Sequence, residues 1–393
     1  MIRDAVASYG GRFHRLLGDE HDAASPLGAW LLLALVAPAA DAGLRARLTD
    51  VLGCDIDDAF EAATELLRDP HPELVLGSAI WHDPAYATDR LVGLLQRLSP
   101  PADAGPIPSQ ADVDAWARER TLGLIEKFPI DVEIGDPLGV LLATAIAAKV
   151  SWEVPFVLAE PTAAELPTAA GFAGLPLLHG PGSAAWQGFV DTDAGLVAAF
   201  SARSQDGLLV TSAVGEPSAA AAGVLDAAQQ IAIAVASGRP PVARSLFELP
   251  LGDGPSWRIT EQTISYTGRD ERYEVLLPAW ETRSEHNLLD QPDLGFADAG
   301  RVLIALLKPA PGYYAEAKQS AMARYTREGF EAAAVTALGV RVASAQLPQD
   351  GPVRTARIEF TRPHAVVAAT AGNGLWDGLP VFAAWVAQAV PAE

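Results

Sequence analysis

The chain has little cysteine, little positive charge and no apolar run long enough to cross a bilayer. Its single cysteine, Cys54, excludes an intrachain disulfide and any metal site built from several cysteines. Lys and Arg total 28 against 49 Asp and Glu, and the formal charge of −21 opposes binding to nucleic acids, to heparin-like polyanions and to anionic membranes. We therefore expect neither nucleic acid nor membrane as a partner. Cys54 itself we interpret as a small core residue.

The longest apolar run, Leu27 to Ala40, is too short to span a bilayer. The residues before it carry several carboxylates, among them Asp4, Asp19 and Glu20, which is not the positive leader that a secretion signal needs. We interpret the run as a buried helix and expect a cytoplasmic protein. Export by another route stays open.

Signatures of catalysis and cofactor binding are absent from the sequence. The seven histidines never fall in a metal-ligand spacing, so solvated or capping roles are expected for them. The turn His179 to Ser183 (HGPGS) lacks the lysine of a phosphate loop, and no Gly-x-Ser-x-Gly nucleophile motif occurs. We expect no metal, no cofactor and no enzymatic activity.

Apolar residues make up 50% of the 393 residues, enough to bury a large core. The first half has mainly helical periodicity and the second half mainly short strands, which predicts an α+β protein. No long low-complexity linker divides the chain, so we treat residues 1–393 as one domain. Helices are predicted at about 4–17, 26–37, 43–53, 57–67, 88–97, 110–126, 217–237 and 296–307. Strands are predicted at 73–82, 196–201, 207–214, 247–251, 258–266 and 273–280, and residues 139–152 form a helix or a strand.

The most informative segment follows Gly329. From Phe330 to Val342 apolar and small residues alternate, as in a strand with one buried face. The segment nevertheless starts with an alanine run, a weak strand former, and leads into the turn residues Pro348 to Pro352. Such a segment is suited to two states, one inside a sheet and one outside it.

Five separated segments resemble the serpin family, in the family's order and over nearly the whole chain. The segment REGFEAAAVT, Arg327 to Thr336, resembles the serpin hinge, in which a glycine and small residues let a reactive loop enter a central sheet. The other four are SPLGAW from Ser25, LLATAIAAKVSWEVPF ending at Phe156, YEVLLPAW ending at Trp280, and FTRP from Phe360 with the hairpin end Pro380 to Val386. We interpret the chain as a serpin-like protein of bacterial type.

The resemblance implies three β-sheets with about nine helices, and it implies functional positions. The hinge and reactive loop correspond to 330–352, and the hinge comprises Glu328, Gly329, Phe330, Glu331, Ala332, Ala333, Ala334, Val335 and Thr336. The region where the sheet opens comprises Ser25, Thr144, Lys149, Trp152 and Gln319. The chain departs from the family at Phe330, normally threonine or serine, at Thr144 for an asparagine, at Val150 for a glycine and at Gln319 for a histidine. The loop is also longer than usual by roughly nine residues.

The resemblance implies a serine protease inhibitor that acts as a suicide substrate and inserts its reactive loop into the central sheet. The family spacing places the reactive bond between Ala343 and Ser344, which suits an elastase-like or subtilisin-like protease, with Arg341 and Leu347 as alternatives. The rival interpretation is a non-inhibitory binding or structural protein whose loop is a permanent strand or a plain substrate. Insertion of Phe330 is expected to cost ~1–3 kcal/mol of overpacking unless the sheet is shaped for it. Trp152 is either a ligand-stacking residue or, as we favour, a core aromatic. A monomer is expected.

Overall fold

Eight α-helices lie in the part of the chain that the computed structural model describes, which comprises residues 2–98, 102–132, 139–160, 164–182, 184–265, 268–309, 315–330 and 351–391. They are α1 (Ile2–Leu17), α2 (Pro26–Val36), α3 (Ala42–Leu52), α4 (Ile56–Arg68), α5 (Asp89–Leu98), α6 (Gln110–Arg120), α7 (Ala221–Ala236) and α8 (Phe296–Ala305).

The strands follow the helices mainly in the second half of the chain. They are β1 (Asp22–Ala24), β2 (Leu74–His82), β3 (Asp103–Pro106), β4 (Val140–Ala148), β5 (Val150–Ser151), β6 (Val157–Leu158), β7 (Leu177–His179), β8 (Trp186–Thr192), β9 (Gly195–Arg203), β10 (Leu208–Val214), β11 (Gly252–Asp253), β12 (Trp257–Ile264), β13 (Asp270–Pro278), β14 (Trp280–Asn287), β15 (Lys318–Tyr325), β16 (Gly329–Phe330), β17 (Gly351–Glu359), β18 (His364–Thr370) and β19 (Pro380–Val386).

One six-stranded sheet forms the centre of the core, with the strand order β1-β19-β18-β10-β9-β8. Every residue of β10 and β18 is buried, because neighbouring strands cover their edges and α7 packs on the sheet. The two strands accordingly consist of apolar and small residues with few polar interruptions, as expected of strands buried on both faces.

The remaining strands in the described ranges form a second six-stranded sheet and three smaller sheets. The second sheet has the order β11-β12-β17-β13-β7-β6. Strands β3, β2 and β4 form a three-stranded sheet, β14 pairs with β15, and the short β16 pairs with β5. Helix α6 packs on β2 and β4, where Val113 lies in one apolar cluster with Trp81 and Leu141.

Helix α2 is the buried helix predicted from the apolar run. It begins at Pro26 after Ser25, whose side-chain oxygen accepts a hydrogen bond from the Gly28 amide at 3.2 Å. A proline at the first helical position and a serine cap favour this start. Its residues other than Leu32 are buried, so α2 is a rigid support inside the molecule.

The predicted helices and strands are largely confirmed, with differences at several places. The segment 139–152 is a strand over β4, and α6 ends at Arg120 rather than near 126, since Leu122 has a positive φ of 55°. The predicted strand 247–251 is wrong: a 3-10 turn occupies Leu246–Glu248. Cys54 is half-buried at the edge of the core. The mix of helices and sheets confirms the α+β class.

The expectation for the histidines was wrong at four positions. His14, His71, His286 and His364 are buried, each with a ring nitrogen within hydrogen-bond distance of a protein oxygen. Over the described ranges, no helix has the length and hydropathy required to cross a membrane.

Candidate functional site

A cleft separates β4 from β15. Strand β4 is hydrogen-bonded to β2 and β15 to β14, and within the described ranges β4 and β15 are not paired with each other. The residues around the cleft enclose a cavity of about 180 Å³. A strand edge presents main-chain N–H and C=O groups that can pair with a further strand. The cleft is therefore suited to accept one extended segment of chain.

The floor of the cleft is apolar and made of small or aliphatic side chains. Helices α2 and α8 form this floor, and side chains of β4 line one wall of the cleft. Representative lining residues are Gly28, Ala29, Leu32, Leu142, Ile146 and Leu303. Gly28 lies under β4, since a Cβ there would be 3.6 Å from Ile146. An inserted segment would consequently meet an apolar surface on its inner face.

Both walls of the cleft are tied to the start of α2. The Ser25 amide donates to Gln319 Oε1 at 3.0 Å, and Gln319 Nε2 donates to the Ser25 carbonyl at 2.9 Å, which fixes β15. On the other wall Thr144 Oγ1 donates to the Gly28 carbonyl at 2.9 Å. The structure thus brings Ser25, Thr144 and Gln319 together around one helix end. Strands β4 and β15 are therefore linked through α2 rather than to each other. The space between the two strands stays open to a further strand.

His286 is a residue of this region that the sequence analysis missed. It lies opposite Gln319 in the register of β14 and β15, and its Nε2 is 2.8 Å from the Ala23 carbonyl and 3.4 Å from an Asp22 carboxylate oxygen. The signal that could have identified His286 is its position on β14, opposite Gln319, which the family resemblance had already singled out.

Aromatic side chains pack together beyond the cleft, around the end of β15. Trp152 is 1% exposed and donates its Nε1 hydrogen to the Thr326 carbonyl at 3.0 Å. Its ring lies 4.9 Å from that of Tyr325, which stacks with Trp280 at 6.2 Å. The interpretation of Trp152 as a core aromatic is confirmed. Burial raises the pKa of the Tyr325 phenol well above its ordinary value.

Two residues of the expected hinge, Gly329 and Phe330, are already held at this end. Gly329 pairs with Ser151 and Phe330 with Val150 in the short antiparallel pair of β16 and β5. The Phe330 side chain is 5% exposed, lines the cleft, and its ring lies 6.4 Å from that of Phe382. The protein therefore has room for this phenylalanine.

The turn before β16 depends on Thr326 rather than on Gly329. Thr326 Oγ1 accepts from the amides of Glu328 and Gly329 and lies 2.9 Å from the Gly329 carbonyl. Gly329, the glycine of the expected hinge, is a strand residue outside the left-handed region. Arg327 and Glu328 form an ion pair at 3.2 Å beside the turn.

Several predicted site residues are not placed in the cleft. Lys149 is exposed beyond the end of β4. The remaining hinge residues Glu331 to Thr336 lie outside the described residues. The same holds for Arg341, Ala343, Ser344 and Leu347, so the position of the reactive bond stays a prediction.

Comparisons with solved structures identify the fold. Over 98% of this chain and 97% of its own, Serpin48 of the insect Tenebrio molitor superposes with a TM-score of 0.61 and 15% identity. The thermophilic serpin Tengpin in its native state gives 0.65 and 15%, covering 98% and 94%. Thyroxine-binding globulin in complex with thyroxine gives 0.59 and 13%, covering 100% and 99%. No family model and no curated protein sequence matches. The chain has the serpin fold.

Proposed function

We propose that this protein inhibits serine proteases as a suicide substrate. The protease serine attacks the carbonyl carbon of a peptide bond within residues 331–350, the C–N bond breaks, and the new amino terminus leaves with a proton. The ester-linked segment then continues from β16 into the cleft as a strand between β4 and β15. The enzyme is carried along with it before water can hydrolyse the ester.

The observation that carries this proposal is the cleft between β4 and β15, which do not pair with each other in the described ranges, with the hinge residues Gly329 and Phe330 held beside one end of β4. Because β16 runs antiparallel to β5, a strand continuing from Phe330 would be directed along the cleft. Its alternating small residues, Ala332 and Ala334, fit against a close-packed floor without overpacking. New ladder hydrogen bonds on both edges and burial of one face would stabilise the inserted form.

The proposed reactive bond is Ala343–Ser344, with Arg341 and Leu347 as alternative positions. A small residue before the cut favours an elastase-like or subtilisin-like enzyme, whereas a cut after Arg341 would favour a trypsin-like one. The proposed partner is therefore a serine protease, bound by a monomer.

The test is incubation with elastase-like and subtilisin-like proteases, followed by denaturing electrophoresis and by thermal unfolding of the cut protein. We expect a covalent complex and a marked gain in stability after cleavage. An Ala334→Arg variant should be cut without forming the complex, since it puts a charge on the inserting face. Ala333→Arg, on the opposite face, is the matched control. Cleavage of the unmodified protein with neither complex nor gain in stability would refute the proposal.

A second candidate is a non-inhibitory binding or structural protein on the same fold. The burial of Phe330 in β16 favours it, because a hinge residue that is already packed needs no further movement. In that case the same experiment gives a cut loop and an unchanged unfolding temperature.

A further inference from the structure

The outer edge of the second sheet carries an exposed apolar surface. Strand β6 is the last strand of this sheet and pairs on one side only, with β7. The side chains of Val154, Val157 and Leu158 are 41%, 67% and 43% exposed. They are three of the seven exposed large apolar side chains in the described ranges, so this exposure is concentrated in one short stretch. We call Val154, Pro155, Val157 and Leu158 the β6 patch.

The backbone of β6 is available on its outer side. The Ala159 amide donates to the Leu177 carbonyl at 2.8 Å, and Val157 lies opposite His179 in the same register. Because hydrogen-bonded positions alternate along an antiparallel pair, the N–H and C=O of Leu158 point away from β7. Soluble proteins usually protect such an edge with charges or a covering segment, and an exposed apolar edge marks a place where another chain can bind. The β6 patch is therefore suited to contact a protein partner.

Buried contacts hold the β6 patch firmly beside the hinge. Phe156, which lies within this stretch, is buried, and its ring centre is 5.6 Å from those of Trp152 and Tyr325. The Phe156 amide donates to the Arg327 carbonyl at 2.9 Å, and the Trp152 amide donates to the Glu328 carbonyl at 3.0 Å. The residues that lead into the hinge therefore lie against the same stretch of chain that carries the patch.

The distance from the hinge to the β6 patch is small compared with a protease. The backbone from Val150, the strand partner of Phe330, to Val157 spans at most ~25 Å. A protease domain of about 230 residues has a radius of gyration of ~17 Å and hence a diameter of ~45 Å. On the other side of residues 331–350, β17 belongs to the same sheet as β6. A protease that binds the chain between β16 and β17 can therefore reach the patch.

The charge around the β6 patch favours a basic partner. The exposed carboxylates of Glu153 and Glu160 lie before and after the patch, and the formal charge of the whole chain is −21. A second copy of the chain would bring the same carboxylates and the same overall charge to the contact, which opposes self-association. A partner with basic residues around an apolar contact is attracted instead, and complementary charge raises the rate of encounter.

We propose that the β6 patch is a second contact surface for the protease, and that the protease it fits has apolar and basic residues beside its active site. This inference rests on the proposed function and extends it. The partner is then selected by a surface outside residues 331–350 as well as by the bond that is cut. The patch raises the rate at which the protease engages the intact protein.

The test measures the second-order rate constant at which a protease consumes the intact full-length chain, whether into a covalent complex or into cut protein. The probes are two elastase-like proteases, one basic and one acidic at the working pH. The variants are Leu158→Ser and Leu158→Arg, and the matched controls are Leu251→Ser and Leu251→Arg. Leu251 is 52% exposed and precedes β11, at the opposite edge of the same sheet. Urea unfolding verifies that each variant keeps its stability.

A further variant, Glu160→Gln, tests the contribution of charge. With the basic protease it should lower the rate constant at low salt and have little effect at high salt, because salt screens exposed charges. The same loss at both salt concentrations, or an equal response of the acidic protease to all variants, would overturn the choice of a basic partner.

With the basic protease we expect Leu158→Ser to lower the rate constant at least threefold and Leu158→Arg at least tenfold, and both controls to stay within twofold. Equal effects at Leu158 and Leu251, or no effect at Leu158, would overturn the contact surface. A dimer of the unmodified protein that Leu158→Arg dissociates would assign the patch to a second copy and overturn it as well. Failure of the proposed function is a different result, because the protein is then cut without a complex or a gain in stability, while the rate constant still reports on the patch.

Discussion

Replacing Phe330 by threonine tests whether the bulky residue at the hinge hinders insertion or stabilises the intact protein. Its side chain is 5% exposed between Val150, its strand partner, and Phe382. A buried aromatic removes ~150 Å² or more from water, worth ~4 kcal/mol at ~25 cal/mol per Å². Because threonine keeps part of that area and the ring lines a cleft, we expect Phe330→Thr to lower the free energy of unfolding by ~2–4 kcal/mol.

The assay is urea unfolding of the intact protein, together with the rate of covalent complex formation with an elastase-like protease. Because the intact protein already accommodates the Phe330 side chain, we expect Phe330→Thr to change the rate of complex formation by less than about threefold. If the phenylalanine raised the barrier to insertion by ~1.4 kcal/mol, its removal would increase this rate about tenfold. Val157→Thr is the control, because that side chain is 67% exposed and the change should stay within ~0.5 kcal/mol. Unchanged stability combined with a tenfold faster reaction would refute this reasoning and show that overpacking limits insertion.

Two further predictions concern buried polar groups. Gln319→Leu leaves the amide and carbonyl of Ser25 without their side-chain partner, which should lower the free energy of unfolding in urea by ~2–4 kcal/mol. Gln262→Leu, at an exposed position of β12, should lower it little, and equal effects of the two changes would show that the Gln319 contacts are unimportant. Burial lowers the pKa of His364 to about 4, so the unfolded chain binds a proton between about pH 6.5 and 4 that the folded protein does not, and stability must fall as the pH falls through that window. The loss should be up to ~3 kcal/mol, and His364→Phe should flatten this part of the pH profile; an unchanged slope would exclude His364 as its source.

The local sequence pattern predicted most helices and strands, but it did not predict the cleft. The periodicity of residues 208–214 or of α2 reports how each element is buried, and both were predicted. That β12 pairs with β17 was not predictable, because the alternation of side chains reports the faces of a strand and not the neighbour along its edge. The contact between Ser25 and Gln319 joins residues 294 positions apart, and only the family resemblance had placed them in one region.

The described strands on the two sides of residues 331–350 are held very unequally, and this asymmetry predicts which part of the chain would move after a cut. On the amino-terminal side the hold is β16, a pair of two residues with β5. On the carboxyl-terminal side it is β17, with ladders on both edges and arginines toward each neighbour. If the proposed cut occurs between them, we expect the carboxyl-terminal part to stay in its sheet and the amino-terminal part to move. The cleft lies next to β16, so under the proposed function a cut would free the chain beside the two strands, β4 and β15, that do not pair with each other in the described ranges.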